Sequence, residues 1–210
     1  MSNIVQQLNA EMSGAIENAR RGLVEIRNGH GTGAGTIWHP DGLIITNAHV
    51  VQGRHSLKAI LPDGRTLPAQ VVAIDPQRDL AALKVDATDL PTVDLGDSRM
   101  LKAGEWVTAV GHPWGVTGAV TSGVVIGEGS QFPEMPKQGE WVVVSLHMRP
   151  GHSGGPLVND RGQLVGINTM NTGPDVGMAV PVHVVKAFLQ KAGLGKVVQQ
   201  STTRMKNEYV

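Results

Sequence analysis

Apolar residues recur at helical spacing near the start of the chain, at Ile4, Leu8, Met12, Ala15, Ile16 and Ala19. The pattern predicts an amphipathic helix over residues 3–20, stopped by Gly22 and docked on a domain surface or on another copy. From Leu23 the period changes. Short runs rich in Val, Ile and Thr cover residues 23–27, 36–38, 43–46, 56–61, 66–74 and 81–85. A second group covers 106–110, 119–126, 141–145, 163–168 and 177–180. Turn signals such as Pro40-Asp41-Gly42, Pro62-Asp63-Gly64 and Asn159-Asp160-Arg161-Gly162 separate them. About a dozen strands at this spacing fit antiparallel barrels or a sandwich. Pro91, Gly96, Asp97 and Gly104 interrupt the pattern and divide it into two halves, with a cleft between them as the expected site. A closing helix is predicted over 182–191, with Val184, Val185, Phe188 and Leu189 as its apolar stripe and Gly193 as its cap.

Composition narrows the function classes. Lys plus Arg and Asp plus Glu number 18 each, so the net charge is zero, without the basic surplus a general nucleic-acid binder needs. No apolar run approaches the roughly 20 residues of a membrane-spanning helix. Cysteine is absent, which removes disulfides and thiolate chemistry. Residues 1–21 show no basic segment followed by an apolar one, so they do not read as a secretory signal. The compartment is therefore the cytoplasm, or the periplasm or another extracytoplasmic space if a leader has been removed. Residues 199–210 read as a loose polar tail.

Three local signals carry candidate chemistry. Thr46-Asn47-Ala48-His49-Val50-Val51 sets a His just after a strand. Asp75-Pro76-Gln77-Arg78-Asp79-Leu80-Ala81 sets an Asp just before one. Gly151-His152-Ser153-Gly154-Gly155-Pro156-Leu157 sets a Ser in a glycine-dense turn. A serine hydroxyl is a weak nucleophile that needs a base, and an imidazole can take its proton and later return it. A carboxylate on the other ring nitrogen orients the imidazole and stabilises its charged form. The amides of Gly151 and Ser153 can point at one developing oxyanion. Each signal alone is weak, but together they fit one catalytic unit.

With these motifs the sequence resembles the trypsin-like serine proteases, and within them the HtrA/Deg family. Gly31-Thr32-Gly33-Ala34-Gly35-Thr36-Ile37 is similar to that family's opening strand, and the stretches from Asp41 to Val51 and from Asp79 to Val85 to its His and Asp motifs. Gly111-His112-Pro113-Trp114-Gly115, Thr121-Ser122-Gly123-Val124-Val125, Gly166-Ile167-Asn168-Thr169 and Met178-Ala179-Val180-Pro181 continue the likeness over about residues 22–192. The resemblance implies an all-β fold of two six-stranded antiparallel barrels with an N-terminal and a C-terminal helix. The division it implies is a helix at 1–21, a protease domain at 22–195 with barrels at about 22–95 and 100–181, and a tail at 196–210. It makes His49 the base, Asp79 its orienter and Ser153 the nucleophile. Gly151, His152 and Ser153 form the oxyanion turn. His147, Met148, Thr169, Met170 and Asn171 bind substrate, and Met170 suggests an apolar primary pocket. Unfolded or misfolded proteins or peptides are the implied substrates and a homotrimer the implied assembly. No cofactor or metal is implied, and residues 131–139 are a candidate loop that orders or disorders around the site.

Departures from the family pattern are specific. His152 stands where the family usually has Asn. It cannot supply the acid that pairs with a new N-terminus in digestive relatives, so activation by N-terminal cleavage is not expected. The 18 residues after Ala192 leave no room for the peptide-binding PDZ module that usually follows, so the sequence is expected to be a protease domain excised from a longer chain or a natural short form. Three other readings compete. A chaperone-like module could hold peptides in the same fold without cutting them, but the complete His, Asp and Ser set argues against it. A nucleotide site at Gly31–Gly35 would need a helix after it, and a strand pattern follows. Among the eight His, none falls in a His-Glu-x-x-His arrangement, and His147 with His152 is the only pair near one place. The four Trp are expected in the core or at barrel edges.

Overall fold

A computed structural model describes residues 2–29, 31–53, 56–129 and 140–195. The candidate loop at 131–139 and the tail at 196–210 lie outside the described residues. Helix α1 (Ser2–Arg21) leads into six strands: β1 (Leu23–Arg27), β2 (Thr32–His39), β3 (Leu43–Thr46), β4 (Leu57–Ile60), β5 (Thr66–Asp75) and β6 (Leu80–Lys84). A one-turn helix, α2 (Ala48–Val51), follows β3. Six more strands are β7 (Trp106–Gly111), β8 (Ala119–Glu128), β9 (Val142–Ser145), β10 (Pro156–Asn159), β11 (Leu164–Gly173) and β12 (Val176–Pro181), and α3 (Val182–Lys191) closes the chain's described part.

Each set of six closes into an antiparallel barrel. The first runs β1-β2-β3-β6-β5-β4 and the second β7-β8-β9-β12-β11-β10, so the two share one topology. Closure removes the free sheet edges that a sandwich would leave. Eleven strands fall where the sequence pattern sets them, nine of them within two residues at each end, while β2 begins four residues earlier and β11 runs five residues further. The exception is β10, which the pattern hides: four residues, opening on Pro156, directly after a glycine turn. Proline is tolerated at a strand's first position because its missing N–H lies outside the ladder.

Apolar packing falls into three clusters. Val24, Ile26, Ile44, Leu57 and Leu83 fill the first barrel. Val107, Val125, Val144, Leu157 and Val165 fill the second. The third lies between the barrels and joins Trp38, Ile45 and Leu80 of the first to Val110, Ile167 and Met178 of the second, with Phe188 and Leu189 of α3. Burial of this seam fixes the relation of the two barrels, and with it any site built from both.

Helix α1 packs mainly through its later turns, chiefly against β7 and β10. Ala19 is buried, Met12, Ala15 and Ile16 are half-buried, and Ile4 and Val5 are exposed. Arg20 Nε donates to the Gly118 carbonyl at 2.8 Å and fastens this end. Trp38 and Trp141 are buried as expected, and Trp106 is partly exposed at a strand start. Trp114 departs from the expectation: it sits in a loop and is 74% exposed.

Candidate active site

Strand register brings the first two residues together. β3 pairs with β6 so that Thr46 lies opposite Ala81. His49, three residues after Thr46, and Asp79, two before Ala81, therefore emerge at the same barrel end. Asn47 reinforces this by donating from Nδ2 to the Asp79 carbonyl at 2.9 Å. His49 Nδ1 lies 2.8 Å from Asp79 Oδ2 and 3.0 Å from Oδ1, and the His49 amide donates to Oδ1 at 3.0 Å. The imidazole is thus held with Nδ1 on the carboxylate and Nε2 left for the cleft.

The second barrel supplies Ser153. Its turn is pinned to β11 by Gly154 N–H donating to the Asn168 carbonyl and Asn168 N–H to the Gly155 carbonyl, both at 2.9 Å. It is pinned to the first barrel by Ala34 N–H donating to the Ser153 carbonyl at 2.8 Å. Gly154 has φ +86°, and a Cβ there would stand 2.0 Å from the Ala34 carbonyl oxygen. No other residue fits so close an approach between barrels.

Residues 149–152 form a β-turn closed by His152 N–H donating to the Arg149 carbonyl at 3.0 Å. Pro150 occupies the second position and Gly151, with φ +105°, the third, which is the type II pattern. Among the described residues, neither the Gly151 nor the Ser153 amide has an acceptor. Those two N–H groups are free to serve an oxyanion, whereas the His152 amide is spent on the turn itself.

Thr169 binds both ends of this set. It sits at the bulge where the β11–β12 register shifts between Asn168 and Met170. Bulges re-aim side chains, and here the Thr169 hydroxyl donates to Asp79 Oδ2. Its carbonyl accepts from Ser153 Oγ at 2.8 Å. The Ser153 hydroxyl therefore rests on Thr169, and among the described residues no hydrogen bond joins it to His49. Burial alone would raise the Asp79 carboxyl. The hydrogen bonds from His49 and Thr169 outweigh it and hold the group below the usual carboxylate range.

The cleft between the barrels has a volume of about 650 Å³, and His49, Asp79, Ser153, Met148, Met170 and Asn171 are among its lining. Asn171 Nδ2 donates to the Met148 carbonyl at 2.6 Å and joins the two segments of that wall. His147 stands apart. It is absent from the lining, and its Nδ1 lies 2.7 Å from Asp175 Oδ1. Among the described residues no group of three His, Cys, Asp or Glu is gathered to hold a metal.

Sequence reading missed two features beside the turn. His112 is 5% exposed and its neighbour His152 3%. His152 Nε2 has no partner among the described residues, and the His112 ring, beside the Val24 backbone, makes no well-formed hydrogen bond there. Burial pushes both imidazoles below their ordinary pKa. The other feature is the Arg149 guanidinium, which lies 4.7 Å from the centre of the Trp114 ring.

The profile of the trypsin-like peptidase domain family matches residues 33–167. The chain is similar to a DegP-like periplasmic serine endoprotease of Halomonas elongata, at 42% identity over 160 residues, covering 72% of this chain and 33% of that protein. A DegP-like protein of Pseudomonas putida is 39% identical over 188 residues, covering 83% of this chain and 39% of the other. Among solved structures, the HtrA-type protease AlgW with tripeptide superposes with a TM-score of 0.79 at 31% identity, over 85% of this chain and 62% of that one. The serine endoprotease of Yersinia pestis gives 0.78 at 30% identity, over 86% and 66%. The chain spans between 33% and 39% of the length of these curated relatives.

Proposed function

The chain belongs to the trypsin-like peptidase family, and from that premise we propose that it is a serine endopeptidase of the HtrA/Deg type that cuts unfolded protein. One observation carries the reading: His49 is clamped by Asp79 in the same cleft as a serine whose turn holds two amides without internal acceptors. In this mechanism Ser153 Oγ leaves the Thr169 carbonyl and turns to His49 Nε2. It attacks the peptide carbonyl as His49 takes its proton. The Gly151 and Ser153 amides receive the oxyanion. His49 then protonates the leaving amine, giving an acyl-enzyme. Water attacks this ester with His49 again as base, and the proton returns to Ser153. Asp79 keeps its charge throughout and balances the imidazolium.

Met148 and Met170 favour small or medium aliphatic side chains before the cut, and Thr169 to Asn171 offer an edge on which a substrate can add as a strand. His147 would act there only through Asp175. The resting contact of Ser153 with Thr169 gives weight to a second reading, a site that stays latent until substrate arrives. Relatives named as periplasmic support the extracytoplasmic choice of compartment. The family resemblance supports a homotrimer.

The test is digestion of a chemically unfolded protein beside its folded form, with light scattering of the same enzyme. Cleavage of the unfolded form alone, its loss in Ser153→Ala and the mass of three chains are expected. Equal resistance of both forms would overturn the protease reading, and the mass of one chain would overturn the trimer.

A further inference from the structure

The ionisable groups lining the cleft are His49, Asp79, Arg149 and His152. Asp79 is taken up by His49 and Thr169. His152 is buried beneath the turn. Arg149 is the one permanent cation in this lining, it is exposed, and no carboxylate among the described residues pairs with it. It is not loose, because its guanidinium lies over the Trp114 ring at 4.7 Å. Stacking uses the face of a guanidinium and leaves the N–H donors at its edge, in the fork that fits a carboxylate.

The platform under Arg149 is built at some cost. Trp114 has φ 54° and ψ 23°, an uncommon conformation for a bulky residue, and its ring is 74% exposed, so burial does not account for it. Short turns fix it in place, with Val116 N–H donating to the Pro113 carbonyl at 2.9 Å. His112 N–H donates to the Gly151 carbonyl at 2.8 Å and ties this loop to the oxyanion turn. Arg149 opens that same turn, so the stack and the reacting centre share one frame.

We propose that Arg149, held on Trp114, is a carboxylate-reading subsite that selects peptides carrying an acidic side chain or a free C-terminal carboxylate near the cut bond. The proposal rests on the protease reading and names its substrate class. An exposed ion pair is worth little, but a preorganised fork on an aromatic face at a cleft wall is the favourable case.

The experiment uses peptides with a fixed aliphatic residue before the cut. Asp, Asn or Lys is placed at one position at a time on either side, and a second arm compares a C-terminal carboxylate with its amide. The readout is the ratio of kcat/KM for Asp over Asn within each enzyme. Wild type should favour Asp by ~10-fold at one or two adjacent positions at low salt, and less at high salt. The terminal arm responds instead if the carboxylate read is the chain end. The ratio should fall to about 1 in Arg149→Gln, keep part of its value in Arg149→Lys, drop in Trp114→Ala, and invert towards Lys in Arg149→Glu. Ratios unchanged by Arg149→Gln and Arg149→Glu at every position and at both kinds of terminus would overturn the subsite. Binding of the same peptides to Ser153→Ala, read by fluorescence anisotropy, separates the two claims. If wild type cuts nothing yet Ser153→Ala still tells Asp from Asn through Arg149, the protease reading fails and the subsite stands.

Discussion

In the proposed catalytic unit, much rests on Thr169, a residue outside the His, Asp and Ser set. Its hydroxyl serves Asp79 and its carbonyl holds Ser153. Asp79→Asn keeps the shape but leaves the imidazole in the wrong tautomer, and kcat should fall by about 10⁴. Thr169→Val removes one charge-assisted donor. It should raise the Asp79 pKa and lower kcat by roughly 10-fold, with Thr169→Ser restoring most of it. Steady-state kinetics of the three variants check this, and equal kcat for Thr169→Val and wild type would contradict it. The sequence already marked His49, Asp79 and Ser153 by residue type and order. The resting partner of Ser153 was hidden, because it depends on a bulge in the β11–β12 register rather than on any motif.

At the scale of elements, the turn from Arg149 to Ser153 and the loop from His112 to Val116 behave as one piece. Their shared interior holds His112 and His152, with Glu25 acting on His112 and Arg149 on His152. Burial lowers both imidazoles in the folded state, whereas the unfolded chain takes up protons near pH ~6.5. Below that pH the unfolded state binds more protons than the folded one, so stability falls on acidification and is full above it. The melting temperature should drop between about pH 7.5 and about pH 5.5, with a shallower drop in a His112→Asn, His152→Asn double variant. Parallel profiles would show that these groups do not drive the slope. Periodicity revealed eleven of the strands, since alternation and turn residues survive without tertiary context. It hid β10, which opens on Pro156 directly after a glycine turn, and it gave no sign that His112 and His152, forty residues apart in the chain, meet.

For the whole molecule, the residue pattern alone left barrels and a sandwich both open. Motif resemblance favoured barrels, and two closed barrels of shared topology are what the chain forms. Neither barrel holds the whole of the candidate site. His49 and Asp79 belong to the first and Ser153 to the second, and they meet because the seam around Trp38, Leu80, Val110 and Ile167 is buried and apolar. Interbarrel bonds at Ala34 and Thr36 reach the serine turn directly. The predicted consequence is a nucleophile that is assembled by folding and has only to turn its hydroxyl from Thr169 to His49. Fluorophosphonate labelling of the purified chain, read by intact mass beside Ser153→Ala, tests this most directly. A single adduct on wild type and none on Ser153→Ala is the predicted result. A wild-type chain that stays unlabelled, with and without an unfolded protein present, would contradict it.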